Sequence, residues 1–123
     1  MTATAGQISW VYCTNLAETV PFYRDLLGLR IERDAGVAMI FETVPGAFIG
    51  VCEAFGDREV TPSGGMITIL VNGVAAVDAW YDRVLSANTP TKGAPERIER
   101  FGIYSFFCMD PNGYVIEVQT FLD

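Results

Sequence analysis

Residues 15–28 read NLAETVPFYRDLLG, and residues 73–86, 58 positions on, read GVAAVDAWYDRVLS without a gap. Phe22-Tyr23 falls on Trp80-Tyr81, and Leu26-Leu27 falls on Val84-Leu85. Leu16, Val20, Tyr23 and Leu27 recur at steps of three and four, the spacing of one helix face. Val74, Val77, Tyr81 and Val84 do the same in the second stretch. Asn15 stands where an N-cap belongs, with Glu18 three residues on as in a capping box. Pro21 lacks an N–H and predicts a kink or a late first full turn. Gly28 predicts the stop.

Working outward, each helix is preceded and followed by extended segments. Ile8 to Thr14 is rich in β-branched and aromatic residues, and Met66 to Asn72 is its counterpart, with Ile8 on Met66 and Val11 on Ile69. Three strands follow each helix, at 29–33, 37–43 and 47–54, then at 97–100, 103–109 and 114–121. Pro45-Gly46 and Asp110-Pro111-Asn112-Gly113 mark the last turn of each set. At a shift of 66, Pro45 falls on Pro111, Phe48 on Tyr114 and Phe55 on Phe121. Residues 56–65 (GDREVTPSGG) read as a linker. Residues 86–96 (SANTPTKGAPE) read as an irregular loop, whose Gly and Pro content suits a lid. The chain is thus expected to be α+β, one domain over 1–123 made of tandem βαβββ units, about 7–55 and 66–123.

The chain has 123 residues, enough to bury a core without staples. Half are apolar, 12% are aromatic, and the net charge is −7. An acidic surface repels phosphates, so neither nucleic acid nor an anionic membrane is an expected partner. Cys13, Cys52 and Cys108 are an odd set in apolar runs, which reads as buried thiols in a reducing compartment. No leader pattern and no apolar run of about 18 residues is present, so a cytoplasmic location is expected. Histidine is absent. That removes the commonest metal ligand and general base, and any Ser-His or Cys-His nucleophile.

The helix start with Phe22-Tyr23 before Leu26-Leu27-Gly28-Leu29, together with the ending Asp110-Pro111-Asn112-Gly113-Tyr114-Val115-Ile116-Glu117, resembles the vicinal oxygen chelate superfamily. That superfamily includes glyoxalase I, extradiol dioxygenases and bleomycin-resistance proteins. The resemblance covers nearly the whole chain. It implies two curved four-stranded sheets enclosing a site, paired within one chain or swapped across a dimer. It also implies four metal-ligand places, on the first and last strand of each unit. Here these fall at Ile8, Val51, Met66 and Glu117. Of these Glu117 alone can hold a metal, and zinc or iron sites want at least three good ligands. No metal and no cofactor is therefore expected.

Strand alternation then places Trp10 and Tyr12 with Ile8, Thr68 and Leu70 with Met66, Val115, Gln119 and Phe121 with Glu117, and Ile49 and Glu53 with Val51. Such a lining suits a flat or hydrophobic organic ligand held by a few polar handles. Such apolar residues on strands more often fill a closed core than meet a ligand, and Glu42 and Glu53 read as solvated. Glu117, between Ile116 and Val118, needs a partner or a proton. Arg97 or Arg100 could supply the partner, as could a ligand.

Three functions follow. The first is a metal-independent small-molecule binding protein, resembling the antibiotic-sequestering bleomycin-resistance proteins and like them a homodimer. The second is a metal-independent lyase or isomerase with Glu117 as general base, helped by Tyr12 or Tyr104. The third is a metal-dependent glyoxalase-like lyase, the least favoured by the ligands present.

Overall fold

The computed structural model describes residues 2–123. The chain divides between Thr61 and Pro62 into two units, each with its own four-stranded sheet. In the first unit the strands are β1 (Gln7–Cys13), β2 (Arg30–Asp34), β3 (Ala38–Val44) and β4 (Ala47–Glu53), in the order β1-β4-β3-β2. In the second they are β5 (Met66–Leu70), β6 (Glu96–Ile98), β7 (Ile103–Met109) and β8 (Val115–Phe121), in the order β5-β8-β7-β6. The strand before the helix runs parallel to the last strand of its unit, and the other pairs are antiparallel. This is the α+β architecture that the repeat predicts.

In the first unit α1 (Leu16–Pro21) starts at Asn15, whose Oδ1 accepts from the Glu18 N–H at 3.1 Å. Glu53, not Glu18, supplies the second side-chain acceptor: its Oε2 accepts from the Leu16 N–H at 3.0 Å. The expected disturbance at Pro21 takes the form of a π-helical turn over Phe22–Leu26, in which the Leu27 N–H donates to the Phe22 carbonyl at 3.0 Å. The turn rolls Tyr23 onto Phe41, with ring centroids 5.7 Å apart. Tyr23, Phe41, Val11, Cys13, Ile49 and Val51 form the buried face of this unit.

In the second unit α2 (Val74–Ser86) buries Val77 and Val84 and packs Tyr81 edge-on against Phe106 at 5.3 Å. The Gly73 N–H ahead of α2 donates to Thr120 Oγ1 at 2.9 Å. Phe106, Cys108, Ile116 and Val118 line the helix side of this sheet. Part of the loop expected as a lid is tied down. The Met109 N–H donates to the Pro90 carbonyl, the Lys92 N–H donates to the Phe107 carbonyl, and Thr91 bridges Cys108. Residues 90–92 thereby prolong the edge of β7 beyond β6.

Among the described residues, no helix is long and apolar enough to cross a membrane. Cys13, Cys52 and Cys108 are buried thiols.

Candidate functional site

Each sheet has one face against its helix and one face away from it, called here the open face. In the second unit the open face is a grid set by strand register. One row runs Thr68, Glu117, Phe107. The Lys92-to-Phe107 backbone bond carries that row on to Lys92. The neighbouring row runs Leu70, Gln119, Ser105, Glu96, and the row on the other side runs Met66, Val115, Met109.

Glu117 is the chemical centre of this grid. It is 3% exposed. Its Oε1 accepts from Thr68 Oγ1 at 2.7 Å. Gln119, with its amide turned so that the NH2 faces the acid, donates to both carboxylate oxygens at 3.1 and 3.2 Å. No arginine or lysine pairs with Glu117 among the described residues. The two arginines considered as partners lie elsewhere: Arg97 sits 6.0 Å from the Tyr104 ring and Arg100 5.1 Å from the Phe101 ring. Two neutral donors thus meet the need for a buried acid to be satisfied. Beside them Ser105 Oγ is buried with no hydrogen-bond partner among the described residues. An orphaned hydroxyl costs about 1–3 kcal/mol, and it lies one strand from Gln119 on the same face.

The first unit shows what replaces this cluster. By register Thr68–Glu117 corresponds to Trp10–Gly50. The Trp10 indole lies directly on Gly50, where an added Cβ would stand 2.7 Å from Trp10 Cδ2. An aromatic ring therefore fills the space that holds a carboxylate in the other unit.

This pairing corrects one expectation. Val51 does not share the face of Trp10; it pairs with Val11 and is fully buried on the helix side, and two residues on along that face stands Glu53, whose carboxylate holds the start of α1. The last strands align at a shift of 67, not 66, so the counterpart of Glu117 is Gly50. Ile49 and Glu53 leave the open face for the same reason. Tyr104 is also corrected. It pairs with Thr120 on the helix side, and its hydroxyl donates to Asp78 Oδ1 on α2 at 2.6 Å. That bond to an acid holds the phenol above its ordinary pKa. Tyr104 is not placed to assist Glu117.

The other expected residues lie on open faces. Ile8, Trp10 and Tyr12 do so in the first unit, where Arg58 Nε donates to Tyr12 Oη at 3.1 Å. Met66, Thr68 and Gln119 do so in the second, with Glu117. Trp10 is 42% exposed and Met66 57%, so these positions are surface rather than core. Glu42 pairs with Arg30 at 3.0 Å.

The donor set does not fit a metal. The four places that the resemblance implies, corrected for register, carry Ile8, Gly50, Met66 and Glu117, which together offer one carboxylate. Among the described residues no three of His, Cys, Asp and Glu gather as a metal site.

Sequence reasoning missed a cavity of about 450 Å³ in the second unit. Met66, Phe107 and Val115 from the open face form its apolar wall, Lys92 its basic edge, and residues 62–65 its rim. Pro62 settles against the β7–β8 turn at Gly113, where an added Cβ would meet Pro62 Cγ at 3.5 Å. Lys92 is the one lysine of the chain. That oddity is visible in the sequence, but its link to Phe107 is not.

Comparison with known proteins sets this geometry in context. Residues 4–118 match the family model described as Glyoxalase/Bleomycin resistance protein/Dioxygenase superfamily. A crystal structure of lactoylglutathione lyase from Agrobacterium tumefaciens is similar, with 22% identity over 97% of this chain and 95% of that one, at a TM-score of 0.77. A glyoxalase/bleomycin resistance protein/dioxygenase from Nocardioides is similar at 16% identity over 100% and 86% of the two chains, with a TM-score of 0.79. An integron cassette protein from the mobile metagenome of the Halifax Harbour sewage outfall is similar at 17% identity over 96% and 99%, with a TM-score of 0.77. No curated protein matches.

Proposed function

Because the chain belongs to the glyoxalase/bleomycin resistance protein/dioxygenase superfamily, we propose that it is a metal-independent binding protein that sequesters a hydrophobic or aromatic small molecule on the open face of the second unit. One observation carries this reading. The carboxylate of the family's ligand positions, Glu117, is satisfied by Thr68 and Gln119 rather than joined by further ligands. An acid held by two donors, beside an orphaned hydroxyl and an apolar cavity wall, is a recognition surface: broad apolar area with a few oriented polar atoms. The bleomycin-resistance resemblance makes aromatic and glycopeptide antibiotics the first ligands to try. A thermal-shift screen in EDTA tests the reading. Stabilisation by a member of these classes is expected, as binding to the native state alone requires. No stabilisation by any of them, with stabilisation by a divalent metal once EDTA is removed, would count against it.

A second reading, a lyase or isomerase, rests on the same carboxylate. Glu117 is an acceptor held in one orientation by Thr68 and Gln119, as a general base must be. Turnover abolished by Glu117→Gln with binding kept would favour it.

The proposal includes a homodimer in the cytoplasm. Trp10, Met66 and Leu70 lie on open faces at the edge strands β1 and β5, with Leu70 59% exposed. A second copy of the chain would cover such apolar surface. Light scattering should give twice the chain mass, and Trp10→Glu should lower it. A monomer at all concentrations would remove this part.

A further inference from the structure

We infer that the ligand of the second unit is an organic monoanion with a flat apolar body, its anionic end held by Lys92. This deepens the binding proposal above and rests on it.

Lys92 is the single lysine in a chain with 15 acidic residues and a net charge of −7. Its ammonium forms no ion pair among the described residues. It is not loosely placed: its own backbone N–H donates to the Phe107 carbonyl at 2.9 Å, and Thr91 before it bridges Cys108. The root of the side chain is therefore fixed at the margin of the sheet and at the edge of the cavity. Next along the row stands Phe107, and next to Phe107 stands Glu117. Strands lie about 5 Å apart, so the backbones of Lys92 and Glu117 stand about 10 Å apart. The Phe107 ring occupies the position between them, with Met66 and Val115 completing the apolar wall.

This order selects a molecule. A carboxylate or similar single charge pairs with Lys92 through a charge-assisted hydrogen bond. A ring lies on Phe107. A hydrogen-bond donor at the far end meets the Glu117 carboxylate. A polyanion is disfavoured, because a single cation faces the field of an acidic chain. A cation would be drawn to Glu117 but repelled by Lys92, and would leave Lys92 unpaired.

Isothermal titration calorimetry with three probes that share one ring system and a far-end hydroxyl donor tests the inference: 6-hydroxy-2-naphthoate, neutral 6-hydroxy-2-naphthamide, and cationic (6-hydroxy-2-naphthyl)methylamine. The full chain is used in EDTA at low salt. Naphthoate should bind roughly tenfold tighter than the amide, the scale of one charge-assisted bond, and the amine more weakly still. Lys92→Met should erase the preference for the anion, and Lys92→Arg should keep it. Both substitutions are at an exposed side chain, so folding is not at issue. Gly65→Leu tests the place independently. Gly65 stands on the cavity rim and a Cβ there meets nothing within 4 Å, so a leucine side chain fits without a clash and should crowd the cavity mouth and weaken naphthoate binding. Equal binding of acid and amide, or a preference that survives Lys92→Met, would overturn the anion assignment and leave the binding proposal standing. Binding unchanged by Gly65→Leu would also overturn the assignment. Failure of all three probes would overturn both.

Discussion

Glu117 and Gly50 occupy equivalent places in the two units, and their difference is the sharpest functional statement the molecule makes. In one unit a carboxylate is held by Thr68 and Gln119; in the other the Trp10 indole covers a bare backbone. Gly50→Ala should cost about 1–3 kcal/mol from overpacking, measured by urea unfolding. The same change in a Trp10→Ala background should cost far less, because the clash has gone. Additive costs would mean that the indole does not lie on Gly50. A second residue-scale prediction concerns Cys108. Burial, with the nearby Asp110 charge, pushes its thiol up from 9.0 to about 11. The unfolded chain releases this proton first as pH rises. The stability the thiol contributes is therefore intact below pH 9 and lost between about pH 9 and 11, up to about 2–3 kcal/mol. Unfolding free energies across that range should fall more steeply in the wild type than in Cys108→Ala. Equal slopes would contradict the burial account.

At the scale of elements, the helices and all eight strands were legible from periodicity, caps and turn residues. What failed was parity. The shift of 66 was read from turn residues, Pro45 on Pro111, but register aligns β3 with β7 and β4 with β8 at 67, which puts Gly46 on Gly113, and a slip of one reverses every side chain of a strand. That single residue sent Val51, Ile49 and Glu53 to the wrong face. Tyr104 was misplaced for a related reason. In Tyr104-Ser105-Phe106-Phe107-Cys108 both faces carry apolar residues, so alternation does not say which face is which. The link from Lys92 to Phe107 was hidden because it depends on a loop segment joining the edge of β7. The start of α1 offers an element-scale test. Glu53→Ala and Asn15→Ala should each cost about 1 kcal/mol, the usual loss for a helix cap. Glu18→Ala should stay within about 0.5 kcal/mol, as exposed changes do. A larger loss at Glu18 than at Glu53 in urea unfolding would restore the capping box read from sequence.

At the scale of the whole chain, two units of one plan have diverged. Each keeps its sheet order and its helix-side core, and the open faces carry the difference. The family match spans residues 4–118, and the four places that the resemblance implies for metal ligands carry Ile8, Gly50, Met66 and Glu117 once strand register is applied. Duplicated architecture with one acid left among these places is the observation that the binding proposal rests on, and the reason the proposal is centred on the second unit. The most direct test is a 15N-labelled chemical-shift titration of the full chain with 6-hydroxy-2-naphthoate in 1 mM EDTA. Shifts that saturate and cluster on Met66, Lys92, Phe107, Val115 and Glu117 are predicted. Absence of saturable shifts there, or their appearance only after a divalent metal is added in place of EDTA, would contradict the account.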